Sequence, residues 1–282
     1  MKNSLISIHA KSFNWAGFFL SKKIFVKCSA LYDFCRTLDD IADENNEIKF
    51  KKNKFNEFKN DFINKKFNNS VIKGIWQIIE IDKVSKQIVL DLFDGIETDL
   101  GDKVKINSKN DLLLYSYRVA GTVGLMMSKI LNVNNKKALK GAIDLGIAMQ
   151  LTNIARDVVE DKKRNREYIS PDFLSIKETI KNAEIFYKRS FPAISYIPFR
   201  SRFSVIVARR IYKKIGDYIL KQKNIENYNQ AGKIYVPFIR KIIETILSIT
   251  DFLKLLKEKK INYDDDMDHI FLSKEIDLNE RI

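Results

Sequence analysis

Cysteine, histidine, proline and glycine are all scarce in this sequence. Its 282 residues include 2 Cys, 2 His, 4 Pro and 10 Gly, and so few Pro and Gly residues do not suffice for many tight turns. Cys28 and Cys35 cannot form a disulfide framework, and their spacing places both on one side of a single helix. The sequence therefore predicts a reduced, intracellular protein with one large core.

Long uninterrupted apolar runs are missing as well. Arg118 interrupts residues 112–127, and Glu244 and Asp251 interrupt residues 242–256, so neither segment predicts a membrane span. The N-terminal segment has one early lysine but no sustained apolar region, which argues against a signal peptide. We expect a cytoplasmic protein, and peripheral contact with the inner membrane surface stays open.

Positive charge is in excess, with 50 Lys and Arg against 36 Asp and Glu and a formal net charge of +14. Such a charge suits nucleic acid, an anionic membrane or a polyanionic small substrate. The lysines are spread along the chain, however, and no basic stripe interleaved with aromatic residues stands out. We expect no nucleic-acid partner, whereas the membrane and the polyanionic substrate remain open; the oligomeric state is not indicated.

Apolar residues recur at intervals of three and four through most of the chain, which predicts an all-α, single-domain protein. We expect a catalytic domain over residues 1–257 and a loosely ordered surface tail over 258–282, where the periodicity is weak. The predicted helices span 17–43, 49–66, 71–80, 83–100, 109–131, 135–163, 175–189, 200–222 and 231–257.

The stretch LYDFCRTLDDIADE (31–44) places four polar residues on one face of a helix. At about 100° per residue, Tyr32, Arg36, Asp39 and Asp43 share one sector, while the apolar residues lie on another. Like charges one turn apart oppose a helix by roughly 0.2–0.5 kcal/mol per pair, so a cation is needed to favour the cluster. Asp39 and Asp43 can reach a common cation.

The stretch GIAMQLTNIARDVVEDKKRNREY (146–168) repeats the pattern. Its polar face consists of Gln150, Asn153, Asp157, Asp161 and Arg164. Oxygen ligands of this kind suit Mg²⁺, and softer metals are disfavoured because neither cluster holds His or Cys in liganding register. Each face alone could be a solvated surface, but two such faces brought together predict a metal–diphosphate site.

These motifs resemble the squalene/phytoene synthase family of head-to-head trans-prenyltransferases, and most of all its phytoene synthase branch. The first stretch is similar to the family's first aspartate-rich motif, and residues 150–171 to the second. Four further stretches are similar to family motifs in the same order: KSFNWA (11–16), DLFDGIETDL (91–100), YSYRVAGTVGLMM (115–127) and RFSVIVARRIYKKIGDYI (202–219).

The resemblance implies an isoprenoid-synthase helical fold around a central cavity. It implies that two geranylgeranyl diphosphates condense through a cyclopropyl diphosphate to phytoene, a carotenoid precursor, with release of diphosphate. Condensation of C15 farnesyl diphosphate to dehydrosqualene, squalene or hydroxysqualene is the alternative. A non-catalytic scaffold protein of the same family is disfavoured because the aspartates of both motifs are intact.

The resemblance also implies roles for individual residues. Mg²⁺ is the expected metal, with Mn²⁺ as an alternative, and no nicotinamide cofactor is expected because no Gly-rich fingerprint is present. The expected metal-binding residues are Asp39, Asp40, Asp43, Asn153, Asp157 and Asp161. The expected substrate-binding residues are Ser12 and Phe13 of a flap, Tyr32, Arg36, Gln150, Asn153 and Arg156. The expected catalytic residues are Asp39, Asp43, Asp157, Asp161, Tyr115, Tyr168 and Tyr212.

The second motif departs from the family pattern at two positions where glycine is usual. Val159 replaces one glycine and Asn165 the other. Helical geometry places Val159 on the apolar side of its helix, which predicts repacking without loss of metal binding.

Overall fold

Helices make up nearly all of the regular structure in the computed structural model, which describes residues 11–44, 46–257 and 266–282. The first half of the chain forms α1 Lys11–Gly17, α2 Lys22–Asp43, α3 Ile48–Ile63, α4 Ser70–Ile81, α5 Lys86–Thr98, β1 Val104–Lys105, α6 Lys109–Ser116 and α7 Thr122–Ile130. The second half forms α8 Lys136–Lys163, β2 Arg166–Glu167, α9 Phe173–Ala193, α10 Phe199–Leu220, α11 Ile225–Ala231, α12 Phe238–Lys257, α13 Met267–Glu275 and α14 Leu278–Arg281. The prediction of an all-α fold is confirmed.

Two predicted helices are broken in the structure by local backbone chemistry. The segment predicted as 17–43 splits because Ser21 acts as the N-cap of α2. The segment predicted as 231–257 starts later, at Phe238, because Gly232 adopts a positive φ of 62°. Pro237 lies directly before this later start, a position that suits proline because it needs no amide hydrogen.

The long helix α8 lies at the centre of the molecule and packs against α7, α9 and α10. The approach of α7 to α8 depends on glycine. A Cβ atom at Gly124 would lie 2.2 Å from the carbonyl oxygen of Ala142, and one at Gly146 would lie 2.2 Å from that of Ala120. These glycines are therefore needed for close helix packing.

A π-helical turn, Tyr117–Gly121, separates α6 from α7 within the predicted helix 109–131. Such turns insert one extra residue per turn and occur often at functional sites. The Tyr117 hydroxyl donates to Asp91 Oδ2 at 3.0 Å, so the turn is tied to α5.

The C-terminal residues 266–282 are ordered, and the expectation of a loosely held surface tail is wrong for them. Leu272 and Leu278 are buried, and His269 Nε2 lies 2.8 Å from Asp144 Oδ1 in the core. Arg281 forms a two-point ion pair with the buried Asp91, at 3.0 and 3.1 Å. Isolated polar anchors of this kind produce no periodic pattern, so the sequence did not reveal them.

The acidic run of the tail also has structural partners where it is described. Asp266 caps α13 by accepting from the amide of His269, and both Asp266 and Asp268 form ion pairs with Arg189 of α9. Residues 258–265 lie outside the described part of the chain. In the ranges that are described, no helix combines the length and the apolarity needed to cross a membrane.

Candidate active site

A cavity of about 300 Å³ lies among α1, α2, the π turn, α7, α8 and α10. Its walls are mainly apolar. The polar groups among its lining include Tyr32 of α2, Gln150 and Asn153 of α8, and Tyr212 of α10. The cavity can therefore hold a long apolar chain and offers polar groups where that chain would end.

The cavity runs along α8, and the predicted acids lie just beyond one end of it. Its lining includes α8 residues from Ala138 to Asn153, a rise of roughly 22 Å at about 1.5 Å per residue. Asp157 and Asp161 continue the face of Asn153 by one and two turns. On α2 the lining ends at Cys35, and Asp39 follows one turn later. Both acidic faces thus extend from the same end of the cavity.

Two arginines hold these helix ends together. Arg166, which follows α8 by three residues, donates from Nη1 to Asp43 Oδ1 at 2.7 Å. Its Nη2 donates to the main-chain oxygens of Ala42 and Asp99, at 3.1 and 3.2 Å. Arg164 adds a second ion pair with Asp43, at 3.4 Å. The C-terminal end of α2 therefore lies against the segment that follows α8, which supports the predicted convergence of the two acidic faces.

The short parallel pair β1–β2 sets the direction of Arg166. Val104 pairs with Arg166 and Lys105 with Glu167, so the adjacent side chains of Arg166 and Glu167 point to opposite sides of the strand pair. Asn165 turns the chain from α8 into β2 with φ of 57°, a left-handed conformation that asparagine tolerates better than most residues. This explains why asparagine can stand where the family usually has glycine.

Asp99, the residue that ends α5, accepts hydrogen bonds from two of the predicted catalytic tyrosines. Tyr115 donates at 2.8 Å and Tyr168 at 2.6 Å, and the two rings stack with centroids 4.8 Å apart. Burial raises the pKa of Asp99, and the nearby charge of Arg166 and the two hydroxyl donors oppose the shift. Tyr115 and Tyr168 are thus held beside the acidic end of the cavity, although neither is among the residues that line it.

One acid on each face has a strongly raised pKa. Water reaches Asp39, but protein atoms surround its carboxylate closely enough that desolvation, and next the charge of Asp43, raise its pKa from 3.8 to about 7. Desolvation and the charge of Asp157 raise the pKa of Asp161 to about 7 as well. In the described part of the chain, neither acid has an ion-pair partner within 4 Å. These carboxylates would be stabilised by an added cation.

The other acids of the two faces are already paired. Arg156 grips Asp157 with two hydrogen bonds of 2.8 and 2.6 Å, and Arg36 pairs with Asp40. Lys233, in the segment between α11 and α12, lies 3.4 Å from Asp157. Cationic groups that could contact a diphosphate are therefore present among the acids.

The family model for squalene/phytoene synthase matches residues 6–176, which is more than half of the chain. The chain belongs to the squalene/phytoene synthase family. The 15-cis-phytoene synthase of Paracoccus sp. is 35% identical over 47% of this chain and 49% of that protein, so this alignment covers about half of each. The 15-cis-phytoene synthase of Pantoea ananas is 24% identical over 75% of this chain and 79% of its own length.

Solved structures show the same fold. A dehydrosqualene synthase crystallised with a ligand superposes with a TM-score of 0.75 at 25% identity, covering 89% of this chain and 94% of that one. A squalene synthase from Alicyclobacillus acidocaldarius superposes with a TM-score of 0.67 at 16% identity, covering 77% and 91%. The helical isoprenoid-synthase fold predicted from the sequence is confirmed.

The donor set of this family member fits a hard divalent cation such as Mg²⁺. Among residues 11–44, 46–257 and 266–282, no group of three or more His, Cys, Asp or Glu side chains is gathered tightly enough to hold a metal by itself. Mg²⁺ does not require such a group, because it keeps waters and shares one or two carboxylates with substrate phosphates. Among the described residues, the buried Asn153 Oδ1 has no hydrogen-bond partner, which leaves an oxygen donor open one turn before Asp157 on the same helix.

Sequence reasoning missed Arg166, Asp99 and Lys233, each of which contacts a predicted site residue. Their partners are far apart in sequence, from 16 to 123 residues, so no local spacing indicates them. The expected position of Val159 on the apolar side is wrong: its side chain is 38% exposed and lies on the outside of α8. The side chains of Ser12 and Phe13 lie outside the described part, so their role in a flap stays a prediction.

Proposed function

We propose that this protein condenses two molecules of geranylgeranyl diphosphate head to head to form phytoene. A cyclopropyl diphosphate is the intermediate, and each of the two steps releases one diphosphate and one proton. Membership of the squalene/phytoene synthase family and the similarity to several phytoene synthases support this proposal. Carotenoid biosynthesis is the pathway that such a product would enter.

The residues at the acidic end would bind the two diphosphates. Arg156 of α8 has a planar guanidinium that can make paired hydrogen bonds to phosphate oxygens. Arg36 provides a second guanidinium from α2. Lys233 adds a third cation close to Asp157. Because these groups are already neighbours of the acids, they could exchange a carboxylate for a phosphate oxygen without a large movement.

Asp39, Asp43, Asn153, Asp157 and Asp161 would hold Mg²⁺, with Asp40 as a further candidate. When bound, Mg²⁺ neutralises the negative charge that develops on a departing diphosphate. The raised pKa values of Asp39 and Asp161 support this assignment, because an added cation would stabilise their charged forms.

The cavity would protect the carbocations that form when diphosphate leaves. Its mainly apolar lining would exclude water from the reacting carbons. Tyr32 and Tyr212 line it from different helices, and an aromatic face stabilises a nearby cation by about 0.5–2 kcal/mol. Tyr115 and Tyr168 would act differently, by holding Asp99 and with it the position of Arg166.

One observation supports the proposal more than any other. The acidic ends of α2 and α8 are joined by Arg166 at one end of an apolar cavity that runs along α8. A site for a charged head group and a site for a long hydrocarbon chain are thereby continuous. This combination matches a prenyl diphosphate and does not match a polar substrate of similar charge.

The test is to incubate the purified protein with geranylgeranyl or farnesyl diphosphate and to identify the extracted hydrocarbons. We expect phytoene from the C20 substrate with Mg²⁺ and without NADPH, and none when EDTA removes the metal. Dehydrosqualene, squalene or hydroxysqualene from the C15 substrate alone would replace the proposal with its C15 alternative. No condensation product from either substrate would overturn both.

A further inference from the structure

Helix α12 is turned so that polar residues face the protein and apolar residues face outward. The stripe that is buried consists of Glu244, Ser248, Asp251 and Leu255, at intervals of four, three and four residues. Three of these four side chains are polar. An amphipathic helix on the surface of a globular protein normally buries its apolar side, so this orientation requires an explanation.

Ion pairs fix this orientation. Arg210 of α10 donates from Nε to Glu244 Oε2 at 3.0 Å and from Nη1 to Asp251 Oδ2 at 2.8 Å. Glu244 and Asp251 are only 3% and 8% exposed. Rotation of α12 would leave buried charges without partners, which is costly, so the outward direction of its apolar face is built into the fold.

The outward face of α12 is wide and highly exposed. Its apolar members are Phe238, Ile239, Ile242, Ile243, Ile246, Leu247, Ile249, Leu253 and Leu256. Ile239 is 71% exposed and Ile246 is 59% exposed. At about 100° per residue these positions cover roughly half of the helix circumference, which is wider than the two-position seam that packs one helix on another. We call this set the outer face of α12.

The exposed charges of α12 are all positive. Both acids of the helix, Glu244 and Asp251, are turned inward onto Arg210. Lys254 and Lys257 lie in the last turn and are exposed, and Lys241 and Arg240 lie near the first turn and are partly exposed. Within the described residues of α12, the exposed charges that accompany the apolar face are therefore cations, and this combination is complementary to an anionic lipid surface.

The outer face lies close to the apolar part of the cavity. The ring of Phe238 packs against Trp15 of α1, and Phe252 packs against Phe199 at the start of α10. Phe199 is 61% exposed and Phe18, directly after α1, is 76% exposed. The neighbouring residues Gly17 and Leu20 line the cavity. Helices α1 and α10, against which α12 packs, thus form one side of the cavity and lie beside the exposed apolar surface.

We propose that the outer face of α12, together with Phe18 and Phe199, docks on the surface of an anionic lipid bilayer. The helix would lie in the plane of the interface, with its apolar side chains at the boundary between head groups and acyl chains. If the proposed function is correct, this places the cavity beside the bilayer, where an insoluble hydrocarbon product could leave without crossing water. The docking itself does not depend on the reaction.

The test measures binding of the purified full-length chain to sedimented vesicles without substrate. The vesicles are phosphatidylcholine alone or phosphatidylcholine with about one third phosphatidylglycerol. The double variant I239E/I246E replaces two exposed residues of the outer face, and I81E/L174E replaces two residues of similar exposure on α4 and α9. We expect binding of wild type and of the control, and a loss of more than about tenfold in I239E/I246E.

The charge component is tested with K254Q/K257Q. We expect roughly tenfold weaker binding to the anionic vesicles and little change on phosphatidylcholine alone. Equal binding of wild type and I239E/I246E would overturn the proposal. The proposal would also be overturned if the wild type were a dimer that does not bind vesicles and I239E/I246E were a monomer. A second copy of the chain would then cover the outer face. Turnover measured separately in detergent distinguishes failure of the docking from failure of the proposed function.

Discussion

The two acidic faces of the site are built alike but neutralised differently. We call them the α2 wall, with Asp39 and Asp43, and the α8 wall, with Asn153, Asp157 and Asp161. Among the described residues, Asp43 of α2 has an ion-pair partner and Asp39 has none, and Asp157 of α8 has a partner and Asp161 has none. The cations on Asp43 come from Arg164 and Arg166, which follow the other wall. The main cation on Asp157 is its own neighbour, Arg156.

This difference means that the charge of the α2 wall is neutralised by residues that follow α8, whereas the charge of the α8 wall is neutralised mainly by its own helix. Arg166 joins α2, the end of α5 and the segment after α8 through Asp43, Ala42 and Asp99. Loss of Asp43 would therefore loosen the contact between the walls. Loss of Asp157 would mainly free Arg156 on the same helix.

The largest expected effect is the loss of turnover when either wall loses an acid. We predict that Asp39→Asn and Asp157→Asn each reduce turnover of the prenyl diphosphate by roughly a hundredfold or more, because in the proposed function the acids of both helices hold the metal that neutralises the departing diphosphate. Product formation per unit of folded protein is the measurement. The control is Glu178→Gln on the exposed side of α9, which should not change turnover. Full activity in one of the two aspartate variants would show that only the other wall binds the metal.

The next effect is on stability and should separate the two kinds of acid. We predict that Asp43→Asn lowers the free energy of unfolding by about 1–3 kcal/mol, because Arg166, which is 8% exposed, loses its charged partner. Asp39→Asn should cause no loss, since Asp39 has no ion pair in the described chain.

Denaturant titrations of both variants and of wild type without metal test this difference. If Asp39→Asn and Asp43→Asn lowered the free energy of unfolding equally, the ion pairs of Asp43 would not stabilise the protein. A matching loss in Arg166→Met would assign the effect to the contact between the walls.

The sequence predicted the helices whose apolar residues repeat regularly, and it predicted the acidic residues that lie one helical turn apart. The apolar repeats located the long helices, and intervals of three and four placed Asp39 with Asp43 and Asp157 with Asp161. The prediction that the two faces converge rested on their shared chemistry. Helix interruptions were harder to predict, because Ser21 and Gly232 act through single backbone positions within otherwise periodic segments.

Contacts between distant residues could not be predicted in this way. Arg166 and Asp43 are 123 residues apart, and Arg281 and Asp91 are 190 apart. Neither pair follows a repeat, and an arginine in sequence gives no indication of which acid it will meet. The inverted orientation of α12 has the same origin, since the pattern shows an amphipathic helix but not which side Arg210 will hold.

A smaller effect concerns pH in the metal-free protein. Asp39 and Asp161 have pKa values of about 7 when folded and near 3.8 when unfolded, so the native state binds more protons between these values. The contribution of these two carboxyl groups to stability therefore falls as pH rises from about 4 to about 7. We predict that the double variant Asp39→Asn/Asp161→Asn has a flatter dependence than wild type over this range, measured by denaturant titration in EDTA. The difference between the two proteins isolates these groups, and identical slopes would contradict the raised pKa values.

The smallest effect is expected on the outside of α8, where the wall does not face the cavity. Val159 is 38% exposed there, although the family usually has glycine at this position. We predict that Val159→Gly leaves turnover unchanged and lowers the free energy of unfolding by less than about 1 kcal/mol, because glycine is a slightly poorer helix former than valine. Turnover and thermal unfolding of the variant are the measurements, with Asn153→Ala on the inner side as the matched contrast. A large loss of turnover in Val159→Gly would mean that the active wall of α8 extends beyond the face that carries Asn153, Asp157 and Asp161.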